Sequence, residues 1–220
     1  MKELVKATEP FRLCTRLHLS ELTGLKASNL TELLELVKTV SGSCIYHHTH
    51  RFLQQHQYLS PEPPNDFAFW VTNVLGDDAL GERLWSVDTI RFSNISELRD
   101  RLIGIFEIYL TSRRQTVECQ PGDEFHFMAC RTFVLPTAYV AHDLTEFSKL
   151  LAQVSIGSVY FHMFDAKLRL KSGENDFSRW FRDLGHTALA DETRRLDPYS
   201  FTLDGLRQRI IRMVTQHASH

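Results

Sequence analysis

The chain contains no Cys-x-x-Cys pair. Its four cysteines, Cys14, Cys44, Cys119 and Cys130, are scattered. Their spacing spells neither a zinc site nor a disulfide frame, and reduced thiols in a cytoplasmic protein are the expectation. A glycine-rich phosphate loop, a Gly-x-Ser-x-Gly elbow and any Ser/His/Asp or Cys/His order are missing too, so no nucleophile or nucleotide cradle is spelled out. No cofactor is expected. No apolar run approaches the length of a membrane span, and the opening MKELVKATEPFRL lacks the apolar core of a signal peptide. Basic excess is also lacking. The net charge of −2 and a pI near 6.6 disfavour a nucleic-acid partner.

What the chain does have is self-similarity. Displaced by 114 positions, residues 11–56 lie over 125–170 without a gap. Phe11 falls on Phe125, Thr23 on Thr137, Tyr46 on Tyr160 and His48 on His162. After a short deletion, Asn65-Asp66-Phe67 with Trp70 meets Asn175-Asp176-Phe177 with Trp180. Leu98-Arg99 then meets Leu206-Arg207. Roughly a quarter of aligned positions agree in one order, the signature of internal duplication.

Each half opens with a strand-like stretch. Phe11, Leu13, Thr15, Leu17 and Leu19 alternate with mostly polar residues, and 124–135 answers them before Pro136. Asn29-x-x-Glu32 and Asp143-x-x-Glu146 read as capping boxes. Helical stripes follow: Leu30, Leu33, Val37, Val40 against Leu144, Phe147, Leu151, Val154. A second helix over about 43–58 and 157–170 carries the shared histidine on its apolar face. A third carries Phe67, Trp70, Val71 and Phe177, Trp180, Phe181, and closes at Gly76 and Gly185, where a left-handed residue is wanted. The expected architecture is mainly α: two tandem helical repeats forming a pseudo-twofold unit, each led by a short strand or extended arm. Its parts are an arm 1–10, a first repeat 11–110, a linker 111–124, a second repeat 125–214 and a tail 215–220.

Residues both halves keep are the candidate site. His48 and His162, with Tyr46 and Tyr160, would suit an anion or acid–base chemistry at the pseudo-dyad. A core histidine satisfied by a neighbour is the alternative. Asn65, Asp66, Asn175 and Asp176 supply helix caps, but keeping both members of each pair exceeds what a cap needs. An Asp176–His162 contact would orient the ring. His47 and His50 are i, i+3 neighbours that could share a metal, yet the other half has Phe161 and Phe164 there. The segment Tyr58, Pro61, Glu62, Pro63 and Pro64 belongs to a proline-rich insertion in the first half alone, read as an exposed partner-binding loop.

The stretches YHHTHRFLQQHQYLSPEPPNDFAFWVTNVLGDDALGERL, FVLPTAYVAHDL, YFHMFDAKLRL, NDFSRW and LDPYSFTLDGLRQRIIRMV resemble a bacterial family of unknown function over nearly the whole chain. The resemblance implies bacterial or archaeal origin and transfers no catalytic residue. The functional expectation is a non-enzymatic cytoplasmic binding or adaptor protein that recognises a partner protein. The alternative is an enzyme or small-ligand binder using the duplicated His/Asn/Asp residues.

Overall fold

The computed structural model describes residues 7–55, 65–112, 117–166, 174–197 and 200–218, without the side chains of 51–55 and Ile90. The proline-rich segment with Tyr58, Pro61, Glu62, Pro63 and Pro64 lies outside the described residues.

Two 17-residue strands dominate, β1 (Phe11–Ala27) and β2 (Phe125–Ala141). They pair with each other as an antiparallel two-stranded sheet. The helices are α1 (Leu30–Thr39), α2 (Gly42–Gln55), α3 (Asp66–Asn73), α4 (Asp78–Trp85) and α5 (Ile95–Thr111) after β1. After β2 come α6 (Leu144–Leu151), α7 (Ile156–Tyr160), α8 (Asp176–Asp183), α9 (Thr187–Arg194) and α10 (Leu203–Ala218). A π-helical turn, Phe161–Asp165, continues α7.

This corrects the expectation of a mainly α fold of two tandem helical repeats about a pseudo-twofold. The chain is α/β, with 58% of the described residues in helix and 18% in strand, and its sheet is prominent. The strands are about twice as long as their alternating pattern, because they bind each other rather than a core. Phe11 and Leu13 are buried, but Leu17, Leu19 and Leu22 face solvent. The ladder keeps such residues extended even where their side chains are half exposed. Pro136 does not end β2. In a two-stranded sheet each strand has an edge with no strand partner, where proline's missing N–H costs nothing.

Of the described residues, 7–17 with 133–218 form one compact unit, and 18–55 with 65–132 form the other. β1 therefore leaves the first unit after Leu17, and β2 leaves the second after Thr132. In the second unit α1 packs on α5 and α3 on α4, around Leu33, Val37, Phe67, Leu84, Leu102 and Phe106. Phe125 and Phe127 of β2 join that core; Phe125 stacks on Phe67 at 5.1 Å and meets Trp70 edge-on at 5.8 Å. In the first unit α8 packs on α9 and α6 on α10. Phe11 of β1 sits among Phe147, Phe177 and Trp180, with centroids 5.4–5.6 Å away. Offset and edge contacts of this kind add to area burial.

The caps form with one difference. Asn29 and Asp143 accept from the amides of Glu32 and Glu146 at 2.9 and 2.8 Å. The glutamates reach back one residue further than a capping box, to the amides of Ser28 and His142, each at 2.8 Å. A reciprocal box forms instead at Asn175 and Ser178.

Candidate functional site

His48 is held on α2, 4% exposed, with both ring nitrogens engaged. Nδ1 lies 2.8 Å from Asp66 Oδ2, and Nε2 accepts the Met128 amide of β2 at 2.9 Å. An amide only donates, so Nε2 carries a lone pair. A neutral ring then has its proton on Nδ1 and gives it to the carboxylate. In the other unit His162 repeats the arrangement. Its Nδ1 lies 2.8 Å from Asp176 Oδ2, and its Nε2 accepts the Cys14 amide of β1 at 2.8 Å. Each histidine makes both bonds within its own unit. Such a ring ties a strand amide to the first turn of a helix. It has no free lone pair for a metal and no proton to trade unless the strand lets go.

The paired Asn and Asp divide the work. Asn65 Oδ1 caps α3 at the Ala68 amide, 2.8 Å, and Nδ2 donates to Leu84 O at 3.0 Å. Asn175 caps α8 at Ser178, 2.8 Å, and reaches Thr193 O at 3.4 Å. The asparagine caps its helix and ties it to the next one, while the aspartate grips the imidazole. That explains why both members are kept.

The tyrosines have other neighbours. Tyr46 stacks between His18 and His50, at 5.8 and 5.0 Å. Tyr160 carries the Arg16 guanidinium 4.4 Å over its ring, and Arg16 pairs with Asp165. Among the described residues His47, His48 and Asp66 bring ligand atoms within 4.8 Å of one another; His50 is not in that group. The Met128 amide on His48 Nε2 argues against an ion there. A metal on Nδ1 would put the ring's proton on Nε2, donor against donor.

The first unit also holds an open pocket of about 580 Å³. Arg12, His162, Asp176, Arg179 and Trp180 line it, with Phe161 from the π-helical turn. Sequence reasoning missed Arg12 and Arg179, because ordinary surface arginines carry no pattern. It also missed His18, whose Nδ1 lies 2.9 Å from Cys130 Sγ and 2.8 Å from Thr132 Oγ1. Only strand pairing brings those residues together, so no local spacing announces them.

In each unit a His–Asp pair ties a helix to a strand amide, which defines the class: an α/β protein whose most distinctive polar residues hold its own backbone. The chain belongs to the family described as "Family of unknown function (DUF5752)", which matches residues 8–215. It is similar to a solved structure described as "The structure of OrfY from Thermoproteus tenax", at 28% identity and a TM-score of 0.84. That similarity covers 99% of this chain and 100% of the other. The comparison with curated proteins gave no match.

Proposed function

We propose that this chain is a non-enzymatic cytoplasmic binding protein that recognises a partner protein through apolar side chains on its strands. The observation behind this reading is their exposure. In the first unit Phe133, Val134 and Leu135 are consecutive on β2 and about half exposed, as is Leu17 on β1. In the second unit Leu19, Leu22 and Leu25 of β1 are exposed, Leu22 to 61%. Consecutive apolar residues on an edge strand invite self-association, which selection opposes unless something covers them. An extended segment of a partner can add to such an edge and seat its side chains on alternate positions. No helix among the described residues is long and apolar enough to cross a membrane.

The test is cross-linking and capture from the native host, comparing the wild type with a Leu17→Lys/Val134→Lys variant and a Pro61→Ser/Pro63→Ser/Pro64→Ser variant. The strand variant should lose a partner bound at stoichiometric yield, while its stability stays within about 0.5 kcal/mol. Unchanged capture by the strand variant removes the strands from the account. Loss in the proline variant instead moves the binding surface to the loop.

A second reading, a small-ligand binder, is favoured by the pocket beside His162, since π-helical turns recur at functional sites. A thermal-shift screen of small anions and metabolites tests it. Stabilisation that Arg12→Ala/Arg179→Ala abolishes would support it, and no stabilisation by any compound would count against it.

A further inference from the structure

We propose that the pocket beside His162 takes a small zwitterion with an apolar body, of the class of the aliphatic and aromatic α-amino acids. The inference rests on the small-ligand reading of this pocket and names the ligand class. All the lining residues belong to the first unit, and the volume of about 580 Å³ suits a small-molecule site.

The wall carries charges of both signs that engage nothing. Arg12 of β1, Arg179 and Asp183 of α8, and Glu9 line the pocket. Among the described residues none of these four side chains has a hydrogen bond or an ion pair. Other charged groups of the unit do find partners. Asp176 is held by His162, Arg182 of α8 pairs with Glu174 and Asp191 at 3.0 and 2.9 Å, and Arg16 pairs with Asp165. Asp176, Arg179, Trp180 and Asp183 fall at i, i+3, i+4 and i+7, one face of the helix. Arg179 and Asp183 have the spacing of a helical ion pair and still do not bond to each other. A plain anion entering here would meet Glu9 and Asp183, and a plain cation would meet Arg12 and Arg179. A zwitterion satisfies both sets. Its carboxylate accepts from the guanidinium groups, whose planar fork of donors suits it, and its ammonium donates to the carboxylates. Phe161, Trp180 and Leu184 supply apolar wall for the rest of the molecule.

The second unit shows which of these residues the fold needs. Phe11, His162, Asp176 and Trp180 recur there as Phe125, His48, Asp66 and Trp70. Those positions pack or hold backbone in both units. The charges do not recur. The register puts His126 at Arg12, Phe69 at Arg179 and Asn73 at Asp183. Both α3 and α8 are eight residues long, and each begins at the aspartate. A helix that forms with Phe69 and Asn73 has no structural need of Arg179 and Asp183. The three charges are peculiar to one copy of a shared frame, and they meet at one pocket.

The experiment is calorimetry with saturation-transfer NMR on the full chain. The probes are L-leucine and L-phenylalanine, each beside its deaminated acid (isocaproate, phenylpropanoate) and its decarboxylated amine (isoamylamine, phenylethylamine). An amino acid should bind about tenfold or more tightly than either of its analogues, because each analogue lacks one set of charge contacts. Arg12→Gln/Arg179→Gln should bring that amino acid down to the affinity of its amine, and Glu9→Gln/Asp183→Asn to that of its deaminated acid. The ranking of probes by the wild type decides the matter even if a variant folds poorly. An acid or amine that binds as tightly as its amino acid overturns the zwitterion and leaves the small-ligand reading standing. No binding by any compound of the panel overturns the proposal as well, and the wider metabolite screen then decides the small-ligand reading by itself.

Discussion

Replacing His48 or His162 by Phe keeps a ring but takes the acceptor away from the amide of Met128 or Cys14 and the N–H away from Asp66 or Asp176. Each substitution should cost about 1–3 kcal/mol, the usual penalty for stranding a buried donor. The aspartates should differ from each other. Asp176 has a side chain 16% exposed and Asp66 one 52% exposed, so water can replace the second carboxylate far better than the first. Asp176→Ala should therefore destabilise more than Asp66→Ala in urea melts, and equal costs would argue that neither carboxylate matters to its ring. Trp70 and Trp180 are core residues whose Nε1 groups donate to Asp123 O at 2.7 Å and Glu9 O at 3.1 Å. Their alanine variants should each lose roughly 3–5 kcal/mol. At this scale the sequence was informative. The shared histidines stood out, while the Asp176–His162 contact was no more than one conceivable arrangement beside plain helix capping. Their second partners were hidden, because a backbone amide from a distant strand leaves no mark on local spacing.

Helix ends were the most legible elements. Gly76 and Gly185 follow the aromatic helices at φ +68° and +85°, and the Asp77 amide closes the α3 end on Val71 O at 3.0 Å. Gly76→Ala and Gly185→Ala should each cost about 1–2 kcal/mol, the left-handed penalty for a residue with a Cβ; denaturant midpoints would show it. The strands were legible only where a core lies beneath them. Phe11 and Leu13 alternate with polar residues, but beyond Leu17 the apolar residues face water and the pattern stops predicting strand. Register comes instead from two threonines that the shift superposes. Thr23 Oγ1 donates to Phe127 O at 2.7 Å in the second unit, and Thr137 Oγ1 to Leu13 O at 2.5 Å in the first. Reading these stretches as short arms produced the mainly α expectation. A 17-residue strand that owes its length to another strand has no periodic signature of burial to read.

For the molecule as a whole, acid should act on the two units at different pH. In the second unit a hydrogen bond from Lys26 holds the Glu124 carboxyl far below its ordinary range, at about 2. The folded value lies below the unfolded one of about 4.3, so this stabilisation is present above that pH and is lost as pH falls toward 2. In the first unit burial, with some repulsion from His217, lowers His186. The unfolded chain then binds the extra proton first, and stability drains as pH drops below about 6.5. His186→Gln should flatten the melting profile between pH 7.5 and 5.5, and Lys26→Ala should flatten it only below about 4.3. An unchanged profile in either variant would assign the acid response to other groups. The exposed strand residues behind the proposed partner surface are the least visible in sequence, since exposed leucines on a strand look like core leucines until the strand is placed.

The central claim is that the duplicated histidines hold strand amides rather than a ligand. Long-range proton–nitrogen NMR of the imidazoles tests it most directly, because it reports which ring nitrogen bears the proton. The account predicts that in both His48 and His162 Nδ1 bears the proton and Nε2 accepts, and that the Met128 and Cys14 amides are protected from exchange. Nε2-protonated rings beside freely exchanging amides would contradict it and return both histidines to the list of groups free to bind or react.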